Sequence, residues 1–290
     1  MRGRSPGVDF QIYNQITKVQ YEEARGVVQA RVVGREVRLM NSVSSSKVAI
    51  DGCELKVLRA GAGTPLLLVH GGEQDAQAYR SVAEELGSGF DVVVYDRRGY
   101  AGSPSSHIAT GDAFVEQQAH DAGELLGQLG TGPAIVFGTS SGAIIALRLA
   151  LRCADRVRGL ILHEPAWIEP FPVVADAFRQ LIASGARPGG GGSDRYKPQN
   201  AEYWRRCEVE PILSHRISHT ELAAVRAPAV VALGMESGPQ MQAIAAWTSW
   251  KLGAPLLEFP GGHEPVFEVA PAQFSAAVRE ACRRLEEMTG

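Results

Sequence analysis

The chain has 290 residues, 45% of them hydrophobic, which is enough for one large core. Its formal net charge is −3, no long run of like charge suggests a nucleic-acid or membrane-binding surface, and no apolar stretch approaches the roughly eighteen residues of a membrane span. Four scattered cysteines form no C-x-x-C pair, so we expect reduced thiols and no structural zinc site.

The N-terminal region carries no basic segment followed by a continuous apolar one, so a cytoplasmic location is expected. Residues 1–40 have mixed polarity and no motif. We interpret them as a poorly ordered extension of a single domain at 41–290, although an accessory arm that adds a strand or an oligomer contact is the alternative. A homodimer is left open by the sequence.

From residue 41 onward, strand and helix patterns alternate. Asp51-Gly52 lies between two short β-type runs, 48–50 and 55–58, and is a turn that suits a hairpin of twisted strands. The further predicted strands are 65–69, 91–95, 134–137, 159–162, 229–233 and 256–259, and the predicted helices are 76–86, 113–129, 143–151 and 271–288. This order predicts an α/β fold with a mostly parallel eight-stranded sheet and helices on both faces.

The alternation stops between about residues 165 and 226, which predicts a small helical cap. Helix patterns at 174–184 and 201–213 are separated by a glycine-rich, low-complexity stretch at 185–193. An insertion at the carboxyl edge of the sheet is well placed to cover a binding site. We expect its aromatic residues to line an apolar substrate site: Trp167, Phe171, Tyr203 and Trp204.

The stretch Gly138-Thr139-Ser140-Ser141-Gly142 lies between a buried strand and a helix. A sharp turn there would hold the Ser140 hydroxyl clear of the sheet at a helix N-terminus, where backbone N–H groups favour a developing oxyanion. The flanking glycines fit the close backbone approach that such a turn imposes. The pattern predicts that Ser140 is a nucleophile.

With this turn, the chain resembles the α/β-hydrolase family over roughly residues 48–285. Leu68-Val69-His70-Gly71-Gly72 is similar to the family's oxyanion loop, and Asp96-Arg97-Arg98-Gly99 with Ser103 is similar to its D-x-R-G-x-G-x-S segment. Gly261-Gly262-His263 resembles the loop that delivers the catalytic histidine, followed by Pro271 and Phe274 in a P-x-x-F pattern. The resemblance implies a hydrolase fold that needs no cofactor and no metal.

The chemistry of this family assigns the roles. Ser140 would attack a carbonyl carbon after His263 removes its proton, and His263 would then protonate the leaving group. The backbone N–H groups of Gly72 and Ser141 would form the oxyanion hole. We therefore expect a small-molecule substrate, a hydrophobic ester or lactone, and neither a nucleic-acid nor a membrane partner.

The acid that orients His263 is ambiguous. The loop after the penultimate strand contains no aspartate, and its Glu236 sits one residue early for the usual G-x-x-D spacing. Glu164, at the end of the preceding strand, is the rival, because some α/β-hydrolases keep their acid there. Either carboxylate could reach the histidine.

A closer resemblance concerns the zearalenone hydrolase (lactonase) group. This chain is similar to that group in three places: the strand that ends in His163-Glu164, the double serine of the turn and the segment 259–263. By that resemblance the triad is Ser140, His263 and Glu164, with Glu236 as the alternative acid. The cap matches that group poorly, so its substrate is not carried over.

Other functions are compatible with the same pattern. A cofactor-free perhydrolase or haloperoxidase, or a C–C bond hydrolase, would use the same triad. A non-catalytic ligand-binding relative is the alternative from another class. An epoxide hydrolase or a dehalogenase is disfavoured, because both need a carboxylate where this chain has Ser140.

Overall fold

The structure, a computed structural model, describes residues 20–24, 27–32, 35–38, 42–185, 198–263 and 270–290. Three short strands come first and form a separate antiparallel sheet: β1 (Gln20–Ala24), β2 (Val27–Val32) and β3 (Arg35–Arg38). All three strands lie within residues 1–40, the region that the sequence analysis interpreted as an N-terminal extension. The two-residue links at 25–26 and 33–34 each end in glycine, a hairpin signal that the sequence interpretation missed. The domain boundary near residue 40 stays a prediction.

Eight further strands form the central sheet: β4 (Val43–Ile50), β5 (Cys53–Ala60), β6 (Thr64–Val69), β7 (Phe90–Tyr95), β8 (Ala134–Thr139), β9 (Val157–His163), β10 (Ala229–Gly234) and β11 (Leu256–Phe259). Their order across the sheet is β11-β10-β9-β8-β6-β7-β5-β4. Within this sheet β5 runs opposite to the other seven strands, so its pairs with β4 and β7 are antiparallel and all other pairs are parallel. The predicted fold class and all eight predicted strands of this sheet are confirmed.

The α-helices that the structure describes are α1 (Arg80–Leu86), α2 (Asp112–Leu129), α3 (Ser141–Arg152), α4 (Pro172–Ala183), α5 (Pro198–Tyr203), α6 (Val209–Ser214), α7 (His219–Ala224), α8 (Pro239–Leu252) and α9 (Pro271–Glu287). A 3₁₀ turn, Ala76–Tyr79, precedes α1, and a π-helical turn, Trp204–Glu208, joins α5 to α6. In place of the single cap helix predicted at 201–213, the structure thus has three consecutive pieces: α5, the π-helical turn and α6. Helices α7 and α8 were not predicted. Most of the glycine-rich stretch lies outside the described residues.

Two apolar cores cover the two faces of the sheet, because successive strand residues point to opposite sides. Leu67 and Val69 of β6 pack with α2, α3, α8 and the cap, whereas Leu66 and Leu68 pack with α1 and α9. Continuous apolar strands are typical of a parallel sheet that is buried on both sides. The sheet is therefore a rigid base whose loops can carry a site.

The D-x-R-G-x-G-x-S segment fixes the loop that follows β7. The Asp96 carboxylate accepts hydrogen bonds from the backbone N–H groups of Ala76 (2.7 Å) and Gly102 (2.8 Å). The Arg98 guanidinium makes a two-bond pair with Asp121 of α2, at 2.7 and 2.8 Å. These residues hold the loop in place, and none of them lines the cavity beside Ser140.

The turn between β8 and α3 packs directly against the end of β6. A Cβ atom added to Gly142 would lie 2.3 Å from the Val69 carbonyl oxygen and 2.5 Å from that of His70. Both are backbone atoms, so a side chain fits here only if the strand and the helix move apart. Glycine at this position is a packing requirement of the fold.

We therefore expect Gly142→Ala to lower the free energy of unfolding by at least about 2 kcal/mol, the cost of overpacking a closely packed site. The matched control is Gly238→Ala, because a Cβ there meets only a flexible Gln240 side-chain oxygen at 3.6 Å. Urea denaturation of the two variants measures the difference. Equal stability of both would contradict the close packing described here.

Candidate active site

Ser140 occupies a strained turn at the N-terminus of α3. Its backbone has φ 53° and ψ −121°, a conformation that L-residues rarely adopt. The Ser140 N–H donates to the His163 carbonyl at 3.0 Å, and the Ser140 carbonyl accepts from Ala143 and Ala166, both at 3.1 Å. Such strain persists only when the surroundings hold it, and it is often found at functional sites. The sharp turn that the sequence predicts is present, and the role of Ser140 as a nucleophile stays a prediction.

Glu164 and His263 form a hydrogen-bonded pair at the same edge of the sheet. His263 Nδ1 lies 2.9 Å from Glu164 Oε2. The other carboxylate oxygen, Oε1, accepts from the backbone N–H of Gly234 at 2.8 Å and from the Ser237 hydroxyl. The Glu164 side chain is fully buried, whereas that of His263 is one-third exposed. The carboxylate is thus fixed by three donors and presents one oxygen to the histidine.

The protonation of this pair follows from its surroundings. Burial alone raises the pKa of the Glu164 carboxyl, but the hydrogen bonds from His263 and Ser237 outweigh it and hold the pKa below its usual value. An ionised carboxylate only accepts, so His263 Nδ1 carries the proton and Nε2 keeps a free lone pair. His263 is therefore arranged to accept a proton at Nε2.

The alternative acid, Glu236, lies in a different setting. Its side chain is exposed to solvent, and its backbone N–H donates to the Gly261 carbonyl at 2.8 Å. The next residue, Ser237, stands at the G-x-x-D spacing from Gly234 and donates its hydroxyl to Glu164. The sequence interpretation missed Ser237, although the vacant aspartate position was a signal for it.

The oxyanion loop is organised by buried polar side chains. The Arg97 backbone N–H donates to His70 Nε2 at 3.0 Å, so the neutral imidazole carries its proton on Nδ1, which lies 2.7 Å from the Gly71 carbonyl. Burial first, and then the charge of Arg97, lower the pKa of His70 well below its usual value. Gln74 Oε1 accepts from the Gly71 N–H at 3.1 Å. These contacts fix the peptides that precede Gly72.

A small cavity of about 70 Å³ lies beside Ser140 and His263. Gly72 and Ser141, the two residues expected to form the oxyanion hole, also line it. Gly71, Glu73 and Gln74 of the neighbouring loop line it as well, and the rest of the lining is apolar and comes largely from the cap: Ala166, Ile168, Phe178, Trp204, Val209, Ile212 and Leu213. The structure thus brings Ser140, Ser141, Gly72 and His263 together around one apolar cavity.

Of the four aromatic residues expected to line the substrate site, Trp204 does so. The other three do not belong to the lining. Trp167 and Phe171 pack edge-on against Trp247 of α8, and the Tyr203 hydroxyl donates to the Arg98 carbonyl at 3.0 Å. These three aromatic side chains attach the cap to the domain, because each of them contacts a ring or a backbone carbonyl of the domain. Phe178 of α4 takes the lining role instead.

Comparisons with known proteins agree with the fold. Residues 64–186 match the sequence profile of a family described as alpha/beta hydrolase fold. The uncharacterized hydrolase YraK of Bacillus subtilis is 37% identical over 128 residues, 44% of this chain and 47% of that protein. The chain thus spans about half the length of the curated relatives it matches.

Two solved structures align over most of the domain. An esterase from Thermogutta terrifontis has a TM-score of 0.62 and 27% identity, with 83% of this chain and 99% of that chain covered. An enol-lactonase from Burkholderia xenovorans has a TM-score of 0.62 and 21% identity, with 82% and 100% covered. Together with the match of residues 64–186, these likenesses show that the chain has the alpha/beta hydrolase fold.

Two features are absent from the residues that the structure describes. No helix in that part of the chain is long and apolar enough to cross a membrane. No group of three or more His, Cys, Asp or Glu side chains there is arranged to hold a metal ion.

His163, the residue before Glu164, is a further buried histidine, and it packs beneath the candidate site. It is fully buried, with Nδ1 2.9 Å from the Thr139 hydroxyl and its ring against Phe137 and Phe259. Burial is the main cause that lowers the pKa of His163 to about 4. The residue is therefore neutral at pH 7 and must gain a proton when the chain unfolds in mild acid.

The lowered pKa of His163 predicts in which direction the stability of the fold changes with pH. Between pH 6.5 and about 4 the unfolded chain binds a proton at His163 that the folded chain does not, so the free energy of unfolding falls as the pH falls. We expect wild type to lose about 2–3 kcal/mol more than His163→Gln between pH 7 and pH 4.5. Urea denaturation at the two pH values gives this number.

The matched control for the pH experiment is His107→Gln, because the His107 side chain is exposed. That variant should keep the acid sensitivity of wild type. If His163→Gln and wild type lost the same stability on acidification, the buried neutral state of His163 would be refuted.

Proposed function

We propose that this protein is a serine hydrolase that cleaves a carboxylic-ester or lactone bond through Ser140, His263 and Glu164. The observation that carries the proposal is the His263–Glu164 pair, with Nδ1 held at 2.9 Å by a buried carboxylate and the ring lining the same cavity as Ser140. Similarity to an esterase and an enol-lactonase supports the bond type. An exposed Glu236 disfavours the alternative acid.

The reaction would proceed in two stages. His263 Nε2 takes the Ser140 hydroxyl proton while Oγ attacks the carbonyl carbon, and the N–H groups of Gly72 and Ser141 stabilise the oxyanion. Collapse of the tetrahedral intermediate breaks the bond to the leaving alcohol, which receives the proton from His263. Water then attacks the acyl-enzyme with His263 as base, which releases the acid and restores Ser140.

The substrate class follows from the cavity. Its lining is mainly apolar and contains one acidic residue, Glu73, but no lysine or arginine, so a neutral, hydrophobic acyl or lactone group fits better than an anionic one. At about 70 Å³ the cavity is smaller than the pockets that hold drug-sized ligands. A bulky substrate therefore requires Trp204 and Phe178 to move away from Ser140.

The position of Glu164 after β9 supports the similarity to the zearalenone hydrolase group, and an aromatic macrolactone is one candidate substrate. A cytoplasmic location and a homodimer stay predictions.

Replacing the nucleophile tests the proposal directly. Ser140→Ala should abolish labelling by a fluorophosphonate probe and lower kcat for p-nitrophenyl esters by about 10⁴-fold or more, because no other group can form the acyl-enzyme. Ser106→Ala, on an exposed loop, should leave both readouts unchanged. Screening esters of graded length beside aromatic macrolactones finds the preferred substrate. Ester hydrolysis that survives in Ser140→Ala would overturn the assignment.

The acid has its own test. Glu164→Gln should lower kcat by about 10²–10⁴-fold, since an uncharged partner no longer stabilises the His263 imidazolium. Glu236→Gln serves as the matched control and should change kcat less than about threefold, because its carboxylate faces solvent. Steady-state kinetics on one p-nitrophenyl ester compares the two. A large loss of kcat in Glu236→Gln with little loss in Glu164→Gln would identify Glu236, in the loop after β10, as the acid.

A further inference from the structure

A buried ion pair connects the cap to the oxyanion loop. Arg97 Nη2 donates to Glu208 Oε1 at 2.9 Å, and the Tyr100 hydroxyl donates to Glu208 Oε2 at 2.5 Å. All three side chains are fully buried. Arg97 and Tyr100 belong to the loop after β7, whereas Glu208 ends the π-helical turn of the cap. Burying two charges costs several kcal/mol per ion unless they are well paired, so this arrangement calls for a reason.

The second set of contacts made by Arg97 suggests that reason. Nη2 also lies 3.1 Å from the Gly71 carbonyl oxygen and 3.4 Å from the Ser141 hydroxyl. The Gly71 carbonyl and the Gly72 N–H belong to one planar peptide, in which they point in opposite directions. Holding the carbonyl therefore aims the N–H. A cationic donor on the carbonyl also polarises the peptide and strengthens donation by its N–H.

The same cap turn touches the oxyanion loop a second time. Trp204 begins the turn and lies so close to Gly72 that an added Cβ would come within 2.3 Å of the indole. Glu208, the last residue of the turn, accepts a hydrogen bond from Arg97. One turn of the cap thus contacts the loop directly at Gly72 and indirectly through Arg97. The neighbouring Arg98, paired with Asp121, makes no such contact among the described residues.

We propose that Arg97 is a positioning residue for the oxyanion hole and that Glu208 couples its placement to the seating of the cap. This inference rests on the proposed function. Arg97 orients the Gly71–Gly72 peptide and the Ser141 side chain, and Glu208 holds the guanidinium in place only when the cap turn is seated. Oxyanion stabilisation and cap closure are then one event, so the site is fully assembled only over an enclosed substrate.

The test removes the whole buried group at once, so that no charge or hydroxyl is left unpaired. The variant combines Arg97→Met, Tyr100→Phe and Glu208→Leu, a kind of apolar replacement that often preserves stability. We expect kcat on p-nitrophenyl esters to fall about 10–100-fold, KM to change less than about threefold, and the affinity for a trifluoromethyl ketone to fall by the same factor as kcat. A merely structural role would not link these last two losses.

The matched control is a second Arg–Glu pair between the body and the cap. Arg148 of α3 donates to Glu221 of α7, and neither residue contacts the oxyanion loop in the described part of the chain. Arg148→Met combined with Glu221→Leu should leave kcat and ketone affinity within about threefold of wild type. Thermal unfolding of each variant reports whether its fold is intact.

If the triple variant does not fold, Glu208→Gln decides the question. Its amide oxygen still accepts from Arg97 and its amide nitrogen can donate to the Tyr100 hydroxyl, but the charge is gone, so kcat and ketone affinity should fall together by about 3–10-fold. Unchanged kcat in a folded variant, or a loss confined to KM, would overturn the inference. If the wild-type protein showed no hydrolysis that depends on Ser140, the proposed function itself would be overturned. Failure of this inference and failure of the proposed function are therefore distinguishable.

Discussion

The close approach of three backbone segments at the β8–α3 turn is the constraint on which the rest of the site depends. Gly138 and Gly142 leave no room for a Cβ, since an added atom would lie 2.3 Å from a backbone oxygen in each case. This packing forces Ser140 to positive φ and presses the start of α3 against the end of β6. Ser140 and the loop at residues 70–72 are thus adjacent because the sheet and the helix cannot separate. The strain at Ser140, of order 1–3 kcal/mol, is offset by the core beneath it.

The parallel sheet then explains how the remaining groups meet. The strands β8, β9, β10 and β11 run in the same direction, so their following loops converge at one edge and bring Ser140, Glu164, Ser237 and His263 together. Glu164 lies in the loop after β9, and Ser237 in the loop after β10 donates its hydroxyl to Glu164. Glu164 itself has φ 41°, so a second strained residue lies beside Ser140.

Much of this could be predicted from the sequence because it depends on local patterns. The apolar runs defined the strands of the central sheet, and the glycines around Ser140 indicated a sharp turn. The cap was harder, because its aromatic residues could face either the cavity or the domain. Trp167 and Phe171 pack on Trp247 of α8, a helix whose own pattern did not reveal it, so their environment was not contained in their local sequence. The role of Ser237 likewise depends on a partner 73 residues away.

Two adjacent arginines show how the same residue type serves different ends in one loop. Arg98 forms a two-bond pair with Asp121, and their carboxylate–guanidinium geometry satisfies both groups, which suits a purely structural joint. Arg97 is less completely paired, since its Nε and Nη1 are buried without a hydrogen-bond partner among the described residues. A structural joint would gain stability by avoiding such donors. The single nitrogen that is engaged, Nη2, reaches Glu208, Gly71 and Ser141 at once, so the buried charge is best explained by what it orients.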